Sequence, residues 1–287
     1  MSKPTTIGTW LEWAKTHIAP DEAELIAVHN FAPDDADRSW LITHQDHPLP
    51  IDFDDPLNRA NVMVEERAKG EPLAYLFGSQ TFYGRDFSIT RDTLIPRPES
   101  EAIIDLAKSL DLPAKPRILD VGTGCGCLAI TLALEIPQSS VIGVDFSYDA
   151  LFVAEHNNHW FESRVAFARS DLLSVVHPKE QGAFDLIVAN LPYVNPLWDW
   201  LDLKALAHEP PLALYPERGS LENGLSAYQR LFAELMDYTQ VAPVANLILE
   251  ADPCQHEELI EFARTCNWEH HATNGYALAF KPVSSQA

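Results

Sequence analysis

Arg117-Ile118-Leu119-Asp120-Val121-Gly122-Thr123-Gly124-Cys125-Gly126 reads as a short buried strand that breaks into a glycine turn. Cys127 to Leu134 follows as an apolar, helix-compatible run. Glycines 122, 124 and 126 let the backbone approach a ligand closely where a helix begins. A dinucleotide fingerprint places its third glycine one residue later, so the spacing departs from the nicotinamide pattern. A second strand, Ser140 to Asp145, ends in an acid about twenty residues after the glycines, where a carboxylate takes the two hydroxyls of a ribose. A third, Val165 to Arg169, precedes Ser170-Asp171-Leu172, which suits Asp171 to an adenine amino group and Leu172 to the face of its ring. Strands and helices alternate onward through residue 280, which predicts an α/β fold with a mainly parallel sheet and helices on both faces.

Farther along, the apolar run Phe184-Asp185-Leu186-Ile187-Val188-Ala189 is followed by Asn190-Leu191-Pro192-Tyr193. Alone, such a stretch reads as a turn. It also solves a chemical problem. The lone pair of a planar NH2 group is delocalised by the resonance that stiffens a peptide bond, so the nitrogen is a poor nucleophile. A site that methylates it must accept both N–H bonds and aim the remaining orbital at the methyl donor. The Asn190 side-chain oxygen and the Leu191 backbone carbonyl are two such acceptors, with Pro192 holding residue 191 extended. Tyr193 is expected to stack on the flat group. Glycine turn, strand-end acid, Ser-Asp-Leu and Asn-x-Pro-Tyr, in this order, point to S-adenosylmethionine. The expected cofactor residues are Gly122, Thr123, Gly124, Cys125 and Gly126 through backbone amides, with Asp145, Asp171, Leu172 and Asn190. Asp120 is expected near the cofactor's amino group.

Composition narrows the classes. The 287-residue chain carries 42 acidic and 20 basic residues, a formal charge of −22, without a visible Lys/Arg cluster. That field repels polyphosphate, which disfavours nucleic acid and favours a protein partner. The acidic runs Asp34-Asp35 and Asp52-Asp54-Asp55 read as solvated loops and helix starts. No apolar run approaches the ~18 residues of a membrane span, and the start of the chain lacks the apolar core of a signal peptide. Four cysteines without CxxC spacing read as packing residues in a reducing cytoplasm. No His cluster has metal-ligand spacing, so no metal is expected.

Residues 1 to about 80 read as short helices. Trp10, Leu11, Ala14 and Ile18 share one helical face, and Pro20-Asp21-Glu22 opens a second helix carrying Leu25, Ile26 and Val28. Asn58 to Lys69 is helical and stops at Gly70. Thr81 to Ile89 alternates as a β-hairpin turning at Gly84. The expected division is a helical domain (1–80), which the resemblance given below makes the substrate-recognition domain, a hairpin and linker (81–100), and a Rossmann-like methyltransferase domain (101–287).

The chain resembles the HemK/PrmC family, protein-(glutamine-N5) methyltransferases that modify peptide chain release factors. The residues that carry the resemblance are Phe82-Tyr83-Gly84, Leu94-Ile95-Pro96-Arg97-Pro98-Glu99-Ser100-Glu101, Ile118 to Gly126, Asp145, Ser170-Asp171, Asn190 to Tyr193 and Glu209-Pro210. The Ile-Pro-Arg-Pro-Glu segment sets it apart from base methyltransferases that share Asn-x-Pro-Tyr. The resemblance implies that this segment lies near the cofactor. Two readings stay open there: Arg97 and Glu99 line or close the site, or they form a Pro-stiffened connector with a surface ion pair. It further implies that the acceptor is the glutamine of a release factor's Gly-Gly-Gln loop and that the N-terminal helices contact that partner. Three rivals are a glutamine methyltransferase of a ribosomal protein, a DNA or RNA exocyclic-amine methyltransferase, and a non-catalytic scaffold. The sequence departs from the family at Leu191, where Pro is usual, and at Leu172, where Trp is usual. The acceptor at 191 is a backbone carbonyl and survives the first change. The second keeps apolar contact with adenine and loses stacking area.

Overall fold

The computed structural model describes residues 4–49, 55–199, 201, 203–216 and 223–283, so Asp52 and Asp54 of the acidic run lie outside the described residues. Contacts divide the chain into two units, Met1–Gly78 with Lys204–His208, and Ser79–Leu203 with Glu209–Ala287. No helix among the described residues is long and apolar enough to cross a membrane.

The first unit carries α1 (Ile7–Ala14), α2 (Pro20–Phe31), α3 (Ser39–His44), α4 (Pro56–Ala68) and α5 (Leu73–Phe77). Thr6 and Thr9 exchange hydrogen bonds as a capping box that starts α1. Pro20 opens α2 with Asp21 and Glu22 in the first turn, where carboxylates complement the helix dipole. Trp10, Leu11 and Ala14 bury with Ala23, Ile26 and Ala27 of α2 and Ala60 and Val64 of α4. Ile18, expected on the face of α1, lies past the helix end at Ala14 and packs part-buried on the same cluster.

The second unit opens with a hairpin, β1 (Ser79–Phe82) and β2 (Arg85–Ser88). Its turn residues Tyr83 and Gly84 both take positive φ, 48° and 72°, as a two-residue primed turn demands. Phe82 and Phe87 bury in one cluster with Ile103 and Ile104 of α6 (Glu101–Ser109). That burial places the hairpin, and the segment up to α6, within the larger unit.

The rest follows as β3 (Arg117–Val121), α7 (Cys127–Glu135), β4 (Ser140–Asp145), α8 (Tyr148–Trp160), β5 (Ala166–Arg169), α9 (Pro178–Gln181) and β6 (Leu186–Ala189). Then come α10 (Leu203–Leu206), α11 (Pro211–Leu214), α12 (Ser226–Thr239), β7 (Leu247–Glu250), α13 (His256–Thr265), β8 (Trp268–Asn274) and β9 (Ala277–Pro282). The sheet order is β5-β4-β3-β6-β7-β9-β8. Strands β5 to β7 are parallel, and β9 runs antiparallel to both β7 and β8. Alternate side chains enter separate cores on the two faces. Leu119, Ile187, Leu247 and Leu249 join one, and Ile118, Leu186, Val188 and Ile248 join the other. Burial on both faces is why these strands read as continuous apolar runs.

The order also fixes where a ligand fits. From β3 the chain builds the sheet outward through β4 to β5, then returns to place β6 on the other side of β3. The loops leaving β3 and β6 therefore diverge, opening a crevice at the carboxyl ends of the strands.

Candidate active site

A cavity of about 470 Å³ lies at that crevice, within the roughly 300–1,000 Å³ of small-molecule sites. The structure brings Gly122, Thr123, Gly124, Cys125, Asp145, Asp171, Leu172, Asn190, Leu191 and Pro192 to its wall, all predicted from sequence. Gly126, Asp120 and Tyr193 are not on that wall: Asp120 is fully buried beneath it, and Tyr193, expected to stack on the substrate amide, is tied through its hydroxyl to Glu250. Gly126, with φ 82°, starts α7 and faces Ile130, Ala154 and Phe167, so its lack of a side chain serves packing rather than the ligand.

Four amides of the glycine turn already have partners within the protein. Gly122 and Thr123 N–H donate to the Val144 carbonyl at 2.8 and 2.9 Å, Gly124 N–H to Asp145 Oδ2 at 2.8 Å, and Gly126 N–H to the Thr123 carbonyl at 2.8 Å. These donors are spent on shaping the turn. What the glycines supply is closeness. A Cβ at Gly122, where φ is 78°, would sit 2.9 Å from Leu191 Cδ2, so a side chain here would collide with the turn after β6.

Three acids surround the turn. Asp145 closes β4; its Oδ1 accepts Ser147 N–H at 2.8 Å, its Oδ2 the Gly124 bond, and burial raises its carboxyl above the usual range. Each oxygen keeps lone-pair capacity for a ribose hydroxyl. Asp120, fully buried in β3, accepts the Thr123 hydroxyl at Oδ2, 2.6 Å away, while Oδ1 has no hydrogen-bond partner. Burial, with the charge of Asp145 adding to it, pushes its carboxyl up to about 7. Asp171 is held by Arg230, whose Nη2 lies 2.7 Å from both carboxylate oxygens. Arg230 also lines the cavity, so the wall at Asp171 carries an ion pair that sequence reading missed.

Three residues of the turn after β6, Asn190, Leu191 and Tyr193, are held by hydrogen bonds. Asn190 Nδ2 donates to Ser100 Oγ at 3.0 Å. Leu191 N–H donates to the buried Tyr228 hydroxyl at 3.1 Å, and that hydroxyl donates to the Glu250 carbonyl. The Tyr193 hydroxyl donates to Glu250 Oε1 at 3.1 Å, and Gln255 Nε2 to the Tyr193 carbonyl at 2.9 Å. Burial first, then the nearby Glu250 charge, raises the Tyr193 hydroxyl far above its ordinary value, so it stays a donor. Leu191, where the family has Pro, thus uses an N–H that Pro lacks.

Of the two readings of the Ile-Pro-Arg-Pro segment, Arg97 lines the cavity and pairs with buried Glu209 rather than with Glu99. Glu209 Oε2 also accepts Ile95 N–H at 3.1 Å, clamping the segment. Sequence reading missed Ser100, Tyr228 and Glu250 as site residues. Glu250 did carry a signal: like Asp120 and Asp145, it is an acid in a buried apolar strand.

These residues fit S-adenosylmethionine. The unpartnered Asp120 oxygen suits an ammonium group, Asp145 a ribose, and the glycine turn leaves room that a side chain would fill. Residues 102–204 match the Methyltransferase small domain family. The chain is 37% identical over 231 residues to a release factor glutamine methyltransferase of Koribacter versatilis, covering 79% of this chain and 78% of that protein. Its counterpart in Geobacter sulfurreducens is 32% identical over 273 residues, covering 91% and 89%. Among solved structures, the hMettl16 catalytic domain superposes with a TM-score of 0.53 at 14% identity, covering 88% of this chain and 95% of that one, a likeness of fold alone. With relatives this similar over most of both lengths, the chain belongs to the family of release factor glutamine methyltransferases.

Proposed function

We propose that this protein methylates the side-chain amide nitrogen of the glutamine in a release factor's Gly-Gly-Gln loop. The cytoplasm, where translation ends, is its place of action. Bound in the crevice, S-adenosylmethionine supplies an electrophilic sulfonium methyl. Asp120 meets its amino group, Asp145 its ribose, and Asp171 with Leu172 its adenine. Asn190 Oδ1 and the Leu191 carbonyl accept the two amide N–H bonds and turn the remaining nitrogen orbital towards the methyl. Pro192 keeps Leu191 extended, and Tyr193 anchors the turn at Glu250. Most of the rate gain is positioning, because the methyl donor is already activated. No strong base is needed before attack, since nitrogen sheds its proton readily once alkylated. The N-terminal helical unit recognises the release factor, and nucleic acid is not the substrate; the formal charge of −22 supports the latter.

The observation that carries this reading is the Asn190 amide on the cavity wall with its NH2 engaged by Ser100, which leaves its oxygen for a substrate N–H. Asn190→Ala removes that acceptor. Loss of one preorganised polar contact costs about 10²–10³ in turnover, roughly 2.7–4 kcal/mol. The check is kcat on release factor beside the cofactor dissociation constant, which Asp145→Ala should weaken far more. Near-normal turnover by folded Asn190→Ala protein would make the motif a turn only.

A further inference from the structure

Tyr228 stands on α12 with its side chain 0% exposed, and it is not on the cavity wall. Its hydroxyl accepts the Leu191 N–H at 3.1 Å and donates to the Glu250 carbonyl. Burial raises that hydroxyl far above its ordinary value, so it keeps the proton it donates. Ala189 pairs with Leu249 at the end of the β6–β7 ladder, and the phenol joins the chain just past that pair on both strands. A buried hydroxyl with its donor and one acceptor position in use is ordinary packing. Which backbone group it takes is what bears on the chemistry.

The peptide that carries this N–H is the one joining Asn190 to Leu191. The two acceptors for the substrate amide stand on either side of it, the Asn190 side chain before and the Leu191 carbonyl after. Pro192 restricts the ψ rotation of Leu191 towards extended values but leaves the plane of the preceding peptide open. A hydrogen bond to the N–H closes that freedom. The Asn190 amide is itself held at Ser100, so with the peptide plane pinned the two acceptors keep one spacing and tilt. The phenol proton matters too. The Leu191 carbonyl lies 3.5 Å from the same hydroxyl, at the limit of a hydrogen bond. The Glu250 carbonyl is nearer and takes the proton, which leaves the Leu191 carbonyl for an N–H from the cavity.

We infer that Tyr228 is a positioning residue for methyl transfer, pinning the peptide between the two acceptors so that both meet the substrate NH2 together. The inference rests on the reading of Asn190 and Leu191 as those acceptors. Tyr228 touches neither substrate nor methyl in this role.

The test compares the full-length parent with Tyr228→Phe, Leu191→Pro, the double variant, Asn190→Ala and Tyr238→Phe. Tyr238 is the control. It stands on the same helix, is 4% exposed, and its hydroxyl donates to the Gly182 carbonyl at 2.6 Å, before β6 rather than after it. For each variant, kcat and KM on release factor, the cofactor dissociation constant and the Tm are measured. Tyr228→Phe keeps the ring and removes the acceptor of the Leu191 N–H. The expected result is a kcat loss of about tenfold or more, with KM and cofactor affinity within about threefold. Once Leu191→Pro has removed the N–H, adding Tyr228→Phe should lower kcat by less than about twofold. Tyr238→Phe should lower the Tm and leave kcat within about twofold of the parent. A kcat within about twofold for Tyr228→Phe, losses that multiply in the double variant, or an equal kcat loss in Tyr238→Phe would each overturn the inference. Should Tyr228→Phe not fold, Leu191→Pro is set against Leu191→Ala, which also withdraws the side chain but keeps the N–H. A larger kcat loss with Pro upholds the inference, and an equal loss overturns it. If Asn190→Ala keeps full activity, the acceptor reading falls and this inference with it. If Asn190→Ala is impaired and Tyr228→Phe is not, this inference alone falls.

Discussion

Asp120 shows how one residue couples the ligand site to stability. Its carboxyl is fully buried next to Thr123 and within the field of Asp145, and it titrates near 7 rather than at the ordinary 3.8. Between about pH 4 and 7 the folded protein therefore holds a proton that the unfolded chain has released. The stability tied to this group is fully present below about pH 4, is lost as pH rises towards 7, and stays flat above that. Asn at 120 keeps an oxygen for the Thr123 hydroxyl and has no charge to bury. The expected outcome, in cofactor-free protein, is that the Tm of Asp120→Asn gains on the parent between pH 5 and pH 8. A gap that does not change with pH would mean the carboxyl is not held in its neutral form by burial.

At the scale of elements, the turn that follows β6 decides the chemistry. From sequence, Leu191→Pro looks harmless, because Pro keeps the carbonyl and matches the family. The structure gives the opposite expectation. Pro removes the N–H that Tyr228 accepts and withdraws a buried side chain from over Gly122. Tyr228 would still donate to the Glu250 carbonyl but lose the bond that ties the turn to α12. Leu191→Pro should lower the Tm and reduce kcat by about tenfold, and a parent-like enzyme would show that the Tyr228 bond holds nothing in place. The strands β3, β4 and β6 were legible because parallel strands buried on both faces are unbroken apolar runs, and the glycine turn because its spacing is local. The ends of α1 were less so: Ile18 keeps the apolar spacing after the helix has stopped. The roles of Ser100, Tyr228 and Glu250 were not legible, since pairing of β6 with β7 and docking of α6 and α12 bring them together from up to 150 positions apart.

At the scale of the molecule, every residue of the cavity wall belongs to the larger unit. That unit has both sheet cores, and the N-terminal helices have a separate one built on Trp10. A chain beginning at Ser79 should therefore still bind S-adenosylmethionine while losing about tenfold or more in kcat/KM on intact release factor. Undiminished activity would assign the helices to packing rather than to recognition. The central claim, that Asn190 and Leu191 present a release factor glutamine for methylation, is tested most directly by following a labelled methyl group. The protein is incubated with labelled S-adenosylmethionine and, separately, release factor, release factor with its Gly-Gly-Gln glutamine replaced, and bulk nucleic acid. The account predicts label in the first alone. Protease-resistant label in the nucleic acid, or equal label in the glutamine-replaced factor, would contradict it.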